Sequence, residues 1–392
     1  MSSARPVEEP LADTLLAAPF VRVAAASDGD SLAAAGLLAR ACAETATPFQ
    51  LRLDDEAAAA TEDAVTVAVG PTAVDGDASL DRPASPSAFA LARRVGADPD
   101  HVLALAGTIA AGETVRTADA ALEAAQAAGR LEHEPGIAIP TEGVPSGLAA
   151  STLLHGPFSG DEDAAAALVA ELETAEGAGH AAGDGSHAAG ADAGSGGEFD
   201  RRLASLVTID TVAGAGATER ASRAVERALR PYRTPDGPFD TLGGYADVLD
   251  AVARTAPAAG ISLALGERAG GNEDVRDAAL AAWRKYGTAV HEALQTAATA
   301  RHHGVWVLEL GDADAAILPA VARLARDFRA PEPVALAVAD GAAAVAGESG
   351  IGDAAAAAAS AVDGTGHGTD DAGWARFDTD TEQFTDAFRE AL

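Results

Sequence analysis

Aromatic residues, cysteine, methionine and lysine are all scarce in this chain. Aromatic residues make up 4% of its 392 residues, and the chain has one cysteine, one methionine and a single lysine, Lys285. One cysteine excludes both a disulfide framework and a cysteine-based zinc site. Cys42 falls within a predicted helix, where we expect it to act as a small buried hydrophobic residue.

Positive charge is also scarce. The chain has 27 basic residues against 60 acidic ones, a net charge of −33, and a hydrophobic content of 48%. A disordered chain of this charge would be poor in hydrophobic residues too. The composition therefore indicates a folded protein whose acidic, lysine-poor surface is adapted to molar salt. At about 1 M ionic strength the Debye length is roughly 3 Å, so the net charge does not exclude nucleic acid as a partner.

Long apolar runs are absent from the sequence. No 18-residue apolar run free of charge and turn signals stands out, and the first ten residues lack the apolar segment of a signal peptide. The sequence therefore predicts a soluble, cytoplasmic protein of a high-salt cytosol, with no membrane partner. Its length suffices for two domains with cores of their own.

Short apolar strands alternate with alanine-rich helices over roughly the first 110 residues. Strands separated by helices pair in parallel, which predicts an α/β fold with a doubly wound, mainly parallel sheet. The same alternation near the C-terminus predicts a second, smaller α/β domain. A glycine-rich turn region is predicted between its last strand and a final helix at 381–391. The predicted strands lie at 20–26, 49–53, 64–69, 204–212, 260–265, 305–310 and 334–339.

Changes in composition suggest where the domains begin and end. Residues 1–175 are predicted to form the N-terminal domain, and residues 176–198 a flexible insert rich in glycine and alanine. Residues 199–260 are expected to complete the N-terminal domain and to connect it to a C-terminal domain at 261–392. A cleft between the two domains is expected.

The Asp28-Gly29-Asp30 sequence stands between the first predicted strand and a helix. Two carboxylates at the carboxyl end of a strand in an α/β domain are typical of a metal or phosphate site. A helix N-cap is the structural alternative, because an aspartate there stabilises the first turn. One aspartate suffices for a cap, so the second carboxylate needs another explanation.

A second candidate site lies near the C-terminus, at Gly366, His367 and Gly368 within a run that ends at Gly373. Glycines on either side of a histidine let backbone amides and an imidazole approach a ligand together. The alternative is a solvated turn that happens to contain a histidine.

The order of these segments resembles the DHH phosphoesterase superfamily, and within it the archaeal RecJ-like proteins. Residues 27–35 are similar to the family's first motif, a strand followed by Asp-x-Asp and a helix of small residues. Residues 365–373 look like the glycine-rich Gly-Gly-His run of its DHH-associated C-terminal domain. Residues 238–251 are similar to the segment that joins the two domains. The resemblance covers residues 20 to 378.

The sequence departs from the family pattern at most of the expected metal ligands. The histidine expected four residues before the first aspartate is Ala24, and the Asp-His-His motif falls at Gly70-Pro71-Thr72. A later aspartate is replaced at Ala110-Ala111. The arginine of a Ser-x-Arg-Ser run in the C-terminal domain is replaced by Glu348.

Taken with these departures, the resemblance implies an impaired nuclease that acts as a binding or scaffold subunit in DNA replication, DNA repair or RNA maturation. Superfamily members that lost their metals persist as structural subunits of replication machinery. The expected partners of this chain are single-stranded nucleic acid and the proteins of a replication, repair or RNA-processing complex. No residue is assigned as catalytic. Asp28 and Asp30 would hold at most a weakly bound Mn²⁺ or Mg²⁺, and Gly366, His367 and Gly368 would bind phosphate.

Two other functions remain open on the sequence. The chain could be an active, metal-dependent 5′ exonuclease or phosphodiesterase specific for single strands, with a reduced site. It could also be a binder of nucleotides or other small molecules that uses the same cleft.

Overall fold

The computed structural model describes residues 8–53, 63–72, 74–141, 143–181, 195–212, 219–229, 231–266 and 272–392. The first half of the chain contains, in order, α1 (Glu8–Ala17), β1 (Phe20–Ala25), α2 (Gly29–Glu44), β2 (Phe49–Leu53), β3 (Ala64–Val69), β4 (Ala78–Leu80), α3 (Ala84–Arg94), α4 (His101–Ala110), α5 (Asp119–Ala127), β5 (Glu132–His133), α6 (Val144–Ala150) and α7 (Glu162–Ala181).

The second half contains α8 (Ser195–Val212), α9 (Glu219–Ala228), β6 (Tyr232–Arg233), α10 (Leu242–Thr255), α11 (Pro257–Leu265), α12 (Asn272–Thr296), β7 (Ala298–His302), β8 (Val305–Glu309), α13 (Leu318–Leu324), β9 (Val334–Ala339), β10 (Ala342–Ala346), α14 (Ile351–Ala361), β11 (Thr365–Gly368), β12 (Ala372–Arg376) and α15 (Thr381–Ala391). A π-helical turn at Ala325–Arg329, called the π turn below, continues α13. Within the described ranges, none of the helices has both the length and the hydropathy needed to cross a bilayer.

The chain folds as two compact units, which combine distant parts of the sequence. Unit 1 comprises residues 1–132 and 234–283, and unit 2 comprises residues 133–233 and 284–392. This division differs from the expected one, in which the C-terminal domain began at residue 261. Helices α6 to α9 group with unit 2, whereas α11 and the first part of α12 group with unit 1.

Unit 1 is built on a four-stranded parallel sheet in the order β2-β1-β3-β4. Helix α2 packs on β1 and β2 and is also covered by α3, α4, α10 and α11. Its central residues are mostly alanines and leucines, which can be covered on every side without burying a polar group, and they have almost no exposed surface. Gly36 permits the approach of α11, because a Cβ there would lie 2.6 Å from the Cβ of Ala264.

Unit 2 contains a six-stranded sheet in the order β11-β12-β10-β9-β8-β7. The β8–β9 pair is parallel, and the other neighbouring strands pair in antiparallel fashion. Helices α14 and α15 pack together and bury Phe384 and Phe388 completely. The rings of Phe377 and Phe384 stack at 4.3 Å. The predicted α/β class, with a parallel sheet and a second sheet in the C-terminal unit, is therefore confirmed.

Several predicted elements are wrong. Residues 204–212 and 260–265 form helices α8 and α11 instead of strands. Both are short apolar runs, and periodicity alone does not separate a buried strand from a buried helix. The predicted glycine-rich turn region after 339 contains β10, α14, β11 and β12.

The insert predicted at 176–198 is partly helical. Residues 176–181 complete α7, and residues 195–198 begin α8. The remainder of that predicted insert, residues 182–194, lies outside the described residues.

Candidate functional site

Asp28 begins helix α2 as its N-cap. Its backbone is extended, with φ −138° and ψ 165°, and its Oδ1 accepts a hydrogen bond from the Ser31 amide at 3.0 Å. The Ser31 hydroxyl donates to Asp28 Oδ2 at 2.8 Å. Both carboxylate oxygens of Asp28 therefore serve the first turn of its own helix, where a negative charge also interacts favourably with the helix dipole.

Asp30 is fully buried and binds the start of a different helix. Its Oδ2 accepts from the Ala84 amide at 2.7 Å and its Oδ1 from the Ser85 amide at 2.9 Å. The residue at the N-cap of α3 is Pro83, whose side chain makes no capping hydrogen bond. Asp30 thus supplies from α2 the acceptor that α3 lacks locally. The Ser85 hydroxyl returns a bond to the Asp30 carbonyl at 3.1 Å.

The environment of Asp30 disfavours its charge. Burial, followed by the nearby Asp28 carboxylate, raises the pKa of Asp30 from 3.8 to about 6, although the hydrogen bonds from Ser85 and Ala84 oppose the shift. The second carboxylate of the Asp-x-Asp pair therefore has a structural explanation that the sequence alone did not provide. It ties α2 to α3.

Gly29, between the two aspartates, is held by helix α10. Its amide donates to Asp250 Oδ1 at 3.2 Å, and Asp250 is paired with Arg254 at 3.0 Å. A Cβ at Gly29 would lie 2.8 Å from the Asp250 amide nitrogen and 2.9 Å from the Cβ of Ala110. Only glycine fits at this position without moving the backbone of α10 or α4.

Two of the positions where the family resemblance expects metal ligands lie beside the pair. Gly70, at the start of the Gly70-Pro71-Thr72 segment, has φ +74°, and a Cβ there would lie 2.0 Å from the Ser31 hydroxyl. Ala110 lies against Gly29, and its carbonyl accepts from Arg82 at 3.3 Å. These two positions lie beside the pair, but Gly70 has no side chain and the side chain of Ala110 is apolar.

These residues do not fit the Mn²⁺ or Mg²⁺ that the resemblance implies. Such ions take about six oxygen ligands, and Mg²⁺ requires nearly octahedral geometry. All four oxygens of Asp28 and Asp30 already accept protein hydrogen bonds, and Asp30 has no exposed surface. Among the described residues, no three His, Cys, Asp or Glu side chains are grouped so as to hold a metal. Metal binding at the pair stays a prediction, and these contacts argue against it.

The second candidate site lies on β11, an edge strand of the unit 2 sheet, in a segment that was predicted as a turn. His367 stands opposite Trp374 of β12, with ring centroids 5.1 Å apart, and Arg376 lies 5.0 Å from the Trp374 ring. Cβ atoms at Gly366 and Gly368 would lie 2.7 Å from the Ala355 oxygen and 2.2 Å from the Ala372 oxygen. These glycines therefore allow close packing of α14, β11 and β12. Phosphate binding here stays a prediction.

The beginning of α14 lies against the end of this strand, since a Cβ at Gly368 would lie 2.9 Å from the Gly352 Cα, and protein acceptors already occupy this helix end. The Gly350 amide donates to Asp370 Oδ1 at 2.8 Å, and the Gly352 amide donates to the Thr369 carbonyl at 2.8 Å. Glu348 stands exposed just before this turn. An anion would have to displace Asp370 and approach Glu348, so the electrostatics do not favour phosphate at this helix end.

Sequence reasoning identified the aspartate pair but missed its partners. Ser85 and Asp250 lie far from the pair in sequence, so neither was visible as a contact. One local signal was available for Ser31, because a serine three residues after an N-cap aspartate is placed to bond it. The lack of a capping side chain before α3 was a second signal, since Pro83 offers no acceptor.

Comparisons with known proteins show what this chain is similar to. Residues 297–390 match the family model described as "Uncharacterized protein rrnAC1427, C-terminal domain". The chain is 44% identical over 388 residues to the "Uncharacterized protein rrnAC1427" of Haloarcula marismortui, covering 97% of this chain and 96% of that relative. CDC45 from Entamoeba histolytica superposes with a TM-score of 0.57 at 8% identity, with 98% of each chain covered.

RecJ from Thermus thermophilus, solved in complex with Mn²⁺, aligns with a TM-score of 0.49 at 16% identity. That alignment covers 98% of this chain and 53% of RecJ, so the chain spans about half the length of that protein. The likeness to CDC45 confirms the predicted RecJ-like DHH fold. At these identities the conclusion concerns the fold alone.

Proposed function

The chain belongs to the family of the haloarchaeal protein rrnAC1427, and we propose that it is a non-cleaving binding or scaffold subunit of a nucleic-acid-processing complex. One observation supports the absence of cleavage above all others. The carboxylate oxygens of Asp28 and Asp30 are engaged by the N-termini of α2 and α3. The pair has kept its place in the fold and serves the packing of helices.

The chemistry of phosphoester cleavage makes this observation informative. Two-metal hydrolysis needs ligands that hold two ions about 4 Å apart, so that one activates the attacking oxygen and the other stabilises the leaving oxygen. Gly70 and Ala110 occupy positions beside the pair where ligands are expected; Gly70 has no side chain, and the methyl group of Ala110 cannot bind a metal. A site with two engaged carboxylates lacks the means to position a second ion.

A role in nucleic-acid processing is supported by the shared fold and by the retained site geometry. CDC45 has the same fold over the length of the chain. DNA replication, DNA repair and RNA maturation are the settings in which we place the protein, with single-stranded nucleic acid and proteins of such a complex as partners. A molar-salt cytosol is part of the proposal, since the net charge of −33 suits that solvent.

A binding experiment in molar KCl tests this function. Labelled single-stranded DNA and RNA oligonucleotides are titrated with the protein, and fluorescence anisotropy reports binding while electrophoresis of the same samples reports the integrity of the strand. We expect saturable binding of an intact strand. In parallel, the tagged protein is recovered from a native lysate at the same salt, and its partners are expected to be replication, repair or RNA-processing proteins. Absence of both strand binding and such partners would contradict the proposal.

A further inference from the structure

Several arginines gather at one place in unit 2, although the chain as a whole is strongly acidic. The protein has 27 basic residues against 60 acidic ones, yet helix α9 and the α13–π turn segment pack together and carry several arginines. We call four of them the arginine cluster: Arg223, Arg227, Arg323 and Arg326.

The four arginines come from two facing helical segments. Arg223 and Arg227 are four residues apart on α9, and Arg323 and Arg326 are three residues apart on α13 and the π turn, so each pair projects from one face of its helix. The charges of the other three cluster members all lower the pKa of Arg227, after burial, which is the largest cause. The guanidinium group of Arg227 is therefore close enough to each of the other three to be repelled by it, and Arg227 and Arg326 both lie within 4.0 Å of Asp327.

Few carboxylates balance this charge. Asp327 is buried and lies 3.6 Å from Arg227 and 4.0 Å from Arg326. Within the described ranges, Arg223 and Arg323 form no ion pair, and neither does the exposed Glu226 on α9. Other arginines of the unit do pair with a carboxylate, among them Arg202 with Glu198, Arg233 with Glu134 and Arg389 with Asp386.

The backbone that carries the cluster is firmly positioned. Arg220 of α9 donates to the carbonyls of Arg326 at 3.1 Å, Ala330 at 3.3 Å and Glu332 at 3.2 Å. These bonds fix α9 to the π turn and to the chain that follows it. Arg323 donates to the Thr152 carbonyl at 3.0 Å. The cluster is thus arranged before any ligand arrives, while the Arg227 side chain keeps 52% of its surface exposed.

We propose that the arginine cluster binds the phosphate groups of a nucleic-acid strand. The planar guanidinium group matches a phosphate in bidentate fashion, and such short contacts survive where salt screens longer-range attraction. Phe328, the aromatic residue of the π turn, is buried, so its ring offers no surface on which a base could stack. The expected binding is therefore to the backbone and independent of sequence. This inference rests on the proposed function and gives it a location.

A protein partner fits the cluster less well than a strand. Protein interfaces depend on buried apolar or aromatic anchors at their centre. The large apolar side chains exposed in the described part of the chain are Leu16, Ile209 and Leu392, none of which belongs to the cluster. Four convergent guanidinium groups also match the charge density of phosphates better than that of single carboxylates on flexible stems.

A charge-matched pair of variants tests the proposal. Arg223→Gln/Arg227→Gln removes two cluster charges, and Arg202→Gln/Arg389→Gln removes two exposed charges elsewhere in unit 2. Anisotropy titrations of single-stranded RNA and DNA are run between about 0.5 and 2 M KCl, together with inorganic pyrophosphate as competitor. The cluster variant is expected to bind at least ~10-fold more weakly, since each lost bond to a charged group weakens binding substantially. The slope of log K against log salt should fall by roughly 1.4, because each phosphate contact contributes about 0.7.

The control variant is expected to bind within about twofold of the wild type with an unchanged slope. Because Arg227 pairs with the buried Asp327, the single variant Arg223→Glu repeats the test without removing an ion pair. Equal binding by wild type and both cluster variants would overturn the inference, as would equal loss in cluster and control variants. If pyrophosphate competes as strongly as unlabelled strand, the cluster is a site for free phosphate, and the inference is overturned as well. Absence of any strand binding by the wild type would also overturn the inference, whereas the proposed function would be contradicted only if the expected partner proteins were absent too.

Discussion

Replacing Asp30 by asparagine tests whether this carboxylate is a buried structural group. Asparagine keeps one oxygen for the amides of Ala84 and Ser85 but removes the ionisable group. The pKa of Asp30 is raised from 3.8 to about 6 by burial and by Asp28. Since the folded-state pKa exceeds the unfolded value, the folded protein takes up this proton first. Protonation of Asp30 therefore raises the free energy of unfolding as the pH falls below about 6, and this contribution is lost as the pH rises through about 6.

The size of the effect follows from the shift. One pKa unit corresponds to about 1.4 kcal/mol, so between about pH 7 and pH 4.5 the wild type should gain roughly 2 kcal/mol of unfolding free energy relative to Asp30→Asn. All other titrating groups are shared and cancel in the difference. Urea denaturation at constant molar KCl, repeated across this pH range, measures it. Asp380→Asn, which removes the exposed N-cap carboxylate of α15, controls for the loss of one charge.

Parallel pH profiles for the wild type and Asp30→Asn would refute the reasoning. They would mean that the Asp30 carboxylate ionises as freely in the folded protein as in the unfolded chain. A solvated carboxylate of that kind would be available to a ligand, and the helix-tying role assigned to it would be wrong.

Three further predictions concern stability. Asp28→Ala should lower the free energy of unfolding by about 1 kcal/mol, and Asp28→Asn by less than about 0.5 kcal/mol because asparagine also caps helices well. Chemical denaturation measures both changes. Burial lowers the pKa of His155 from 6.5 to about 3 and that of His291 from 6.5 to about 4. As the pH falls, the unfolded chain therefore binds these protons before the folded protein does, and the free energy of unfolding should decrease from about pH 6.5 towards about pH 4. His291→Gln should make this decrease smaller. Gly366→Ala should lower the melting temperature, because its Cβ would lie 2.7 Å from the Ala355 oxygen.

Elements with strong local signals were predictable from the sequence. Strands β2 and β3 have the predicted bounds, as do β9 and α15. Their apolar runs are short, rich in valine or leucine and separated by charged or turn-forming residues. The segments that became α8 and α11 carry similar runs, and tertiary packing decided their conformation. Gly36 of α2, for instance, provides the space that the helical form of α11 occupies.

The candidate site was predictable in position and only partly in role. The resemblance placed Asp28 and Asp30 after β1, and it indicated which ligands were missing. The capping of α3 by Asp30 depends on residues 54 and 55 positions away, and the contact from Gly29 to Asp250 spans 221 positions. No local pattern reports such contacts. The arginine cluster was missed for the same reason, since α9 and the π turn are far apart in sequence.

The most direct test of the account is a cleavage assay on the aspartate pair. Wild type and Asp28→Asn are incubated in molar KCl and Mn²⁺ with a 5′-labelled single strand, and the release of mononucleotides is measured. The asparagine side chain would preserve the helix cap but remove a carboxylate that a metal would need. We predict the same background release from both proteins. Mn²⁺-dependent release by the wild type that Asp28→Asn abolishes would contradict the account.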